Sequence, residues 1–265
     1  MDLELAGKCA LVTGASKGIG RAVATQLLKE GVTVIVHGRS EQTATDAAKE
    51  LSSLGTVHAV YADLSTADGA SALIAQVDAI GPVDILVSNA ASYDAVPFFD
   101  LSDSAWQLTI ETSLMAAVRL SRALLPGMIE RSWGRVIFIS SDYGVQINPV
   151  LMDYSVVKAA MIALSRGLAV MTRGTEVTVN TVIAGPTWTE GAQAFLDGAN
   201  PTGRDVEELK AEFFVPGGFL SDSLIGRYLD PREVADMVAF LCSPRASSVT
   251  GAAQRAEGGT IKTAL

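Results

Sequence analysis

The chain has 265 residues, 49% of them hydrophobic and only 18% charged, with a formal net charge of −9. Globular chains are about a quarter charged, so this composition excludes intrinsic disorder, and glycines without a fixed period exclude a collagen-like chain. An acidic surplus with a pI near 4.7 also excludes a phosphate-backbone binder, and no nucleic-acid partner is expected.

Strand and helix signals alternate from the start. Residues 8–13 (KCALVT) are a short apolar run ending at glycines and predict a buried strand. Residues 18–30 follow with helical spacing through Ile19, Val23, Leu27 and Leu28, and Gly31 stands where a helix-ending glycine belongs. Residues 32–37 (VTVIVH) predict a second strand, and residues 41–54 a helix closed by Gly55. Residues 56–61 predict a third strand, 66–80 a helix ending at Gly81-Pro82, and 83–87 (VDILV) a fourth strand. A long helical stretch spans 102–131, followed by a fifth strand at 134–139 (GRVIFI), a helix at 152–172 and a sixth strand at 176–182 (EVTVNTV). The last helix, 231–242, has a marked start: Asp230 as N-cap, Pro231 at the first helical position and Glu233 completing a capping box. Residues 252–256 predict a short seventh strand.

Such alternation, with strands apolar on both faces, predicts an α/β fold: a doubly wound parallel sheet of about seven strands in three layers, α/β/α. No linker or repeat divides the chain, so residues 1–265 are expected to form a single domain. The acidic start, Met1-Asp2-Leu3-Glu4-Leu5, lacks the features of a secretory signal. No stretch reaches the roughly 18 uncharged apolar residues of a membrane span; the richest, Ala159 to Met171, is broken by Arg166. Cys9 and Cys242 lie far apart without metal-ligand spacing. A cytoplasmic protein with reduced thiols, no bound metal and no membrane association is expected.

Ligands of open parallel sheets bind beyond the carboxyl ends of the strands. After the first strand comes Thr13-Gly14-Ala15-Ser16-Lys17-Gly18-Ile19-Gly20. Gly14 permits the tight turn, Gly18 lets backbone approach a pyrophosphate, and Gly20 allows close helix–strand packing. The helix that follows offers free N–H groups to phosphates. With a strand before it and a helix after it, the loop reads as a dinucleotide site. Its spacing is Gly-x-x-x-Gly-x-Gly, and here the chain resembles the short-chain dehydrogenase/reductase family of the classical type, whose motifs follow in order from residue 8 to about 260. The resemblance implies a Rossmann-like catalytic domain whose cofactor contacts include Gly14, Ser16, Lys17, Gly18, Ile19 and Gly20.

A nicotinamide fold that takes NAD usually places an acid at the end of the second strand. Here that place holds Gly38 and then Arg39, so no acid repels a 2′-phosphate, while Arg39 and Lys17 supply cations for one. NADP(H) is expected over NAD(H). The resemblance assigns Asp63 and Leu64 to the adenine, and Asn89 with Ala90, in Ser88-Asn89-Ala90-Ala91, to the sheet and cofactor site.

Tyr154 and Lys158 are four apart, on one face of a helix. A phenol has a pKa of about 10, and a neighbouring ammonium favours its ionised form. Tyr154 then serves as general acid in ketone reduction and general base in alcohol oxidation, with Lys158 also on the cofactor ribose. Ser141 lies thirteen residues before the tyrosine, in Ser141-Asp142-Tyr143-Gly144, and the resemblance assigns it to the substrate oxygen. The family's fourth catalytic position, usually Asn, falls on Ser113. Its backbone carbonyl survives the change, so a water relay to Lys158 is expected to survive too.

After the sixth strand, Gly185, Thr187 and Thr189 match the family's carboxamide-binding segment, with Ala184 in place of its Pro. Residues 190–229 are irregular, broken by Gly191, Gly198, Pro201, Gly203 and Pro216 among others, and read as a substrate lid. Ser141, Tyr143, Gln146 and Trp188 are expected to contact substrate, with Tyr93, Asp142 and Ile147 nearby. No cluster of Arg or Lys marks an anionic substrate, so a neutral small-molecule carbonyl or secondary alcohol is expected. The alternatives are a 3-oxoacyl-thioester reductase, which shares every motif, and a redox-inactive epimerase, dehydratase or regulator of the same fold. The helix carrying Tyr154 holds few charges, and a helix apolar nearly all round must be covered nearly all round; a homodimer or homotetramer is expected.

Overall fold

A computed structural model describes residues 2–198, 200 and 203–264. Seven parallel strands form one sheet in the order β3-β2-β1-β4-β5-β6-β7. They are β1 (Cys9–Val12), β2 (Thr33–Gly38), β3 (Val57–Tyr61), β4 (Ile85–Ser88), β5 (Gly134–Ser141), β6 (Val177–Ala184) and β7 (Ala253–Ala256). The helices are α1 (Gly18–Lys29), α2 (Glu41–Leu51), α3 (Ala67–Ile80), α4 (Asp103–Thr109), α5 (Ala116–Glu130), α6 (Met152–Met171), α7 (Glu190–Gly198), α8 (Val206–Phe214) and α9 (Pro231–Cys242).

Each central strand is apolar on both faces because each face meets a helix layer. Ala10 and Val12 of β1 pack on one side with Val23 and Leu27 of α1 and Val234 and Val238 of α9. Leu11, between them, faces the other side with Leu73, Leu120 and Met161 of α3, α5 and α6. The strand order reverses between β1 and β4, which opens a crevice at their carboxyl ends.

Of the helix ends marked in the sequence, those at Gly31 and Asp230 hold and that at Gly55 does not. Gly31 has φ 78°, just past α1. Asp230 and Glu233 make both bonds of the capping box at α9. Helix α2, however, stops at Leu51 with Ser52 as its cap, so Gly55 does not close it; Gly55 lies in the connection, where a Cβ would meet Leu28 at 3.3 Å.

The stretch expected as one helix over 102–131 is interrupted by a π-helical turn, Ile110–Met115, between α4 and α5. Ser113 lies inside that turn. A π turn inserts an extra residue into the helical ladder and so kinks it. Strands β5 and β6 run two residues beyond their expected ends, because Ser140 pairs with Ile183 and Ser141 with Ala184. That extension puts Ser141 at the rim of the sheet.

Residues 149–171 reach a mean hydropathy of 1.3 over 18 residues, long and apolar enough to cross a membrane by length and composition only, though Asp153, Lys158 and Arg166 interrupt the run. Val157 and Met161 pack into the core beneath β5. Two of the three charges of α6 are tied inward: Asp153 accepts from the Thr109 hydroxyl at 2.6 Å, and Lys158 Nζ donates to the Ile139 carbonyl at 2.7 Å, while Arg166 is exposed. Yet only 33% of the apolar window is buried, and Val156, Val170 and Met171 are exposed.

Candidate active site

The glycine loop is held from three sides. The Gly14 N–H donates to His37 Nδ1 at 3.1 Å, and His37 Nε2 lies 3.1 Å from the Ala62 carbonyl. Accepting at Nδ1 places the imidazole proton on Nε2, aimed at that carbonyl. Burial holds the His37 pKa below its ordinary value, as a neutral ring in this role requires. Asn89 Nδ2 donates to the Thr13 and Gly14 carbonyls at 3.0 and 3.2 Å, and the Asn89 and Ala90 N–H groups both donate to the Thr13 hydroxyl. Gly20 is a close-approach position: a Cβ there would lie 2.3 Å from the Gly14 carbonyl oxygen.

Helix α1 begins at this loop with Lys17 as its N-cap, no side-chain cap and no acid in its first turn. Its free N–H groups attract anions, and one has found an anion: the Gly18 N–H donates to the Glu190 carboxylate at 2.9 Å. Glu190 is the first residue of α7, so an acid of the expected lid sits against the phosphate loop. The site therefore fits a dinucleotide pyrophosphate by its geometry and by its preference for anions. Arg39 and Lys17 are exposed beside the carboxyl end of β2 and the loop. Asp63, at the end of β3, accepts from the Ser65 N–H at 3.0 Å, and that bond holds its carboxyl below the usual range; Leu64 next to it is buried.

Tyr154 and Lys158 lie on one face of α6, with Lys158 Nζ 5.3 Å from the tyrosine ring centroid. Burial lowers the Lys158 pKa to about 8. Burial also holds the Tyr154 phenol well above its ordinary value, against a hydrogen bond to Ser141 that pulls it down. The ammonium at this distance does not offset that desolvation, so Tyr154 is a protonated phenol at neutral pH. Tyr93 stacks on Tyr154 with ring centroids 5.1 Å apart. The Ser141 hydroxyl donates to Asp142 Oδ1 at 2.9 Å and accepts from the Tyr143 N–H at 3.2 Å. Ser113 is fully buried, with no hydrogen-bond partner for its hydroxyl among the described residues.

The other expected contacts have partners of their own within the chain. Both ends of the Gln146 amide are taken by the C-terminal segment: Nε2 donates to the Thr260 carbonyl at 3.0 Å, and Oε1 accepts from the Lys262 N–H at 2.8 Å. Trp188 packs edge-on against Tyr228 at 5.1 Å, with Lys210 Nζ 3.6 Å from its centroid, which ties it to α8 and the segment before α9. The Thr187 hydroxyl donates to the Gly185 carbonyl, and the Thr189 hydroxyl accepts from the Ala192 N–H at the start of α7. In α8, Phe214 meets Tyr228 edge-on and Phe213 packs at a tilt on Phe219; Pro201 lies outside the described residues. Sequence reasoning passed over His37, Tyr228, Glu257 and Thr260. Only His37 carried a signal, as the one polar ring in a β-branched strand.

A family model described as short chain dehydrogenase matches residues 8–199. The oxidoreductase YvrD of Bacillus subtilis is 45% identical over 99% of either chain. The 3-oxoacyl-(acyl-carrier-protein) reductase of Vibrio harveyi is 34% identical, across 97% of this chain and 98% of that one. The L-sorbose reductase of Gluconobacter frateurii, solved with NADPH and L-sorbose, superposes with a TM-score of 0.92 at 32% identity, over 99% of this chain and all of that one.

Proposed function

The chain belongs to the short-chain dehydrogenase family, and from that premise we propose that it is an NADP(H)-dependent reductase interconverting a carbonyl and a secondary alcohol. The observation that carries the reading is the meeting of Tyr154, Lys158 and Ser141 at the carboxyl end of β5, beside a glycine loop built for a pyrophosphate. A nicotinamide dinucleotide held by its pyrophosphate at that loop would supply the hydride chemistry.

The chain's own residues handle the proton. Tyr154, kept protonated by burial, is the acid that a carbonyl oxygen needs on reduction. Lys158, held by the Ile139 carbonyl, brings a cation to the tyrosine ring and to the ribose. Ser141 fixes the substrate oxygen beside the phenol. Gly14, Ser16, Lys17, Gly18, Ile19 and Gly20 hold the pyrophosphate, while Asp63, Leu64, Asn89 and Ala90 line the adenosine half. Gly185, Thr187 and Thr189 hold the carboxamide. Ser113 contributes a carbonyl in the π-helical turn, whose kink supports the relay position the sequence expects there.

Arg39 supports the 2′-phosphate preference. A charge-assisted pair is worth about 1.5–3 kcal/mol, or about ten- to a hundredfold. We expect kcat/KM with NADPH to exceed that with NADH by at least this margin, and Arg39→Asp to reverse the order. An NADH preference in the unaltered enzyme overturns the assignment. The assay panel sets a neutral ketose against an acetoacetyl thioester. Turnover of the thioester alone selects the acyl reductase alternative. Residues 190–229 act as the lid over this site. Free Cys9 and Cys242 suit a reducing cytoplasm.

Met171 is 70% exposed and Val170 54%, at the end of the helix that carries the catalytic pair. Apolar surface of this kind favours a second copy. We expect light scattering to give the mass of a dimer or tetramer; a strictly monomeric mass contradicts it.

A further inference from the structure

The acid at the head of α7 occupies a donor of the glycine loop. Glu190 Oε2 accepts from the Gly18 N–H at 2.9 Å, and Gly18 is the first residue of α1. That N–H belongs to the free donors at the helix start, the groups that take phosphate oxygens. Glu190 makes no ion pair with Lys, Arg or His among the described residues, and neither does the neighbouring Lys17. The carboxylate has settled on the helix N-terminus rather than on a side-chain cation.

The surrounding structure delivers it there. Thr187 bridges Leu229, and the Trp188 N–H donates to the Leu229 carbonyl at 2.9 Å, which fixes the chain just before α7. The Thr189 hydroxyl accepts from the Ala192 N–H, as an N-cap does. Gly18, at φ 57°, has no side chain, and a Cβ there would lie 3.3 Å from the Thr189 methyl group. Thr189 therefore lies close against the loop, and the next side chain along is the carboxylate. On the other flank of the same turn, a Cβ at Gly191 would lie 3.4 Å from the Tyr93 hydroxyl, and Tyr93 packs on Tyr154. The head of α7 thus adjoins both the phosphate loop and the aromatic wall of the catalytic tyrosine.

A pyrophosphate at this loop and the Glu190 carboxylate on Gly18 would set like charges side by side. We propose that Glu190 is the chain's own occupant of the pyrophosphate position. It holds the Gly18 N–H in the free protein, is displaced when the coenzyme binds, and returns as the spent coenzyme leaves. Glu190 is then an affinity-determining residue of the coenzyme site, and its charge keeps coenzyme binding weaker than the loop alone would allow. The competition rests on the dinucleotide reading of the loop; the contact itself does not.

The test accordingly has two arms. The first needs no coenzyme: hydrogen exchange of the peptide spanning residues 14–22 is expected to be faster in Glu190→Ala than in the unaltered protein. Equal exchange means that the carboxylate does not hold the loop and overturns the proposal. The second arm is calorimetric titration with NADPH and with adenosine 2′-monophosphate, which lacks the pyrophosphate. Glu190→Gln is expected to bind NADPH about three- to tenfold more tightly than the unaltered protein, with a gain that shrinks as salt is raised. Its affinity for adenosine 2′-monophosphate is expected to be unchanged. An equal gain for both ligands makes Glu190 a general repelling charge, and no gain for NADPH means that it does not compete; either result overturns the proposal. Where Glu190→Ala loosens α7, Glu190→Gln, which keeps an amide oxygen at the helix start, decides. If the unaltered protein binds neither ligand, the dinucleotide reading fails and the competition with it, and that failure is told apart from the others because the exchange arm still reports the contact.

Discussion

Tyr154→Phe is expected to lower kcat for carbonyl reduction by about a thousandfold, with NADPH still bound at near-normal affinity. The phenylalanine keeps the ring and therefore the packing. Tyr93 remains stacked 5.1 Å away, and Lys158 remains 5.3 Å from the centroid, tied to Ile139. What is lost is the proton, together with the hydrogen bond to Ser141. No neighbour replaces that proton easily. Burial raises the Tyr143 pKa to about 12, and the Lys158 ammonium is held to the Ile139 carbonyl, with its nitrogen 5.3 Å from the tyrosine ring centroid. Stopped-flow reduction and titration of nicotinamide fluorescence separate the two effects. Turnover within tenfold of the unaltered enzyme would mean that the proton comes from another group.

Gly20→Ala is expected to weaken NADPH binding by at least tenfold and to lower the melting temperature, although it adds a single methyl group. The new Cβ would fall 2.3 Å from the Gly14 carbonyl oxygen and 2.5 Å from Asn89 Nδ2. Neither neighbour can yield cheaply. The Gly14 carbonyl belongs to the turn itself, and Asn89 holds it through a 3.2 Å bond. Overpacking of this kind costs about 1–3 kcal/mol, and here the strain is released by opening the loop that receives the phosphates. Calorimetry checks stability and affinity together. Unchanged affinity in the Gly20→Ala enzyme would show that the α1–loop contact does not shape the site.

Most of the architecture was legible along the chain because its signals are local. Strands apolar on both faces, glycines at the ends of helices and the Asp230–Glu233 capping box each depend on residues within a few positions of one another. Gly55 misled because a glycine after a helical pattern resembles a cap, whereas α2 had already ended at Ser52. The long helix hid its π-helical turn, since a single inserted residue barely disturbs hydrophobic spacing. Asp142 shows the limit most clearly. It was visible as an acid beside the expected catalytic serine, but the sequence offered no sign of what it faced.

The sequence by itself determined the order of strands and helices, the dinucleotide loop and the Tyr154–Lys158 spacing, because a turn of helix or a tight loop is set by neighbours in the chain. Only the tertiary structure decided that Gln146 binds the C-terminal segment, that His37 supports Gly14, and that the Thr260 hydroxyl bonds the Glu257 carboxylate. Those partners are brought together by the parallel sheet, whose adjacent strands β6 and β7 carry Gly185 and Glu257 to the same rim. A hydrogen bond between residues more than a hundred positions apart leaves no periodicity to read, and the fold alone supplies its geometry.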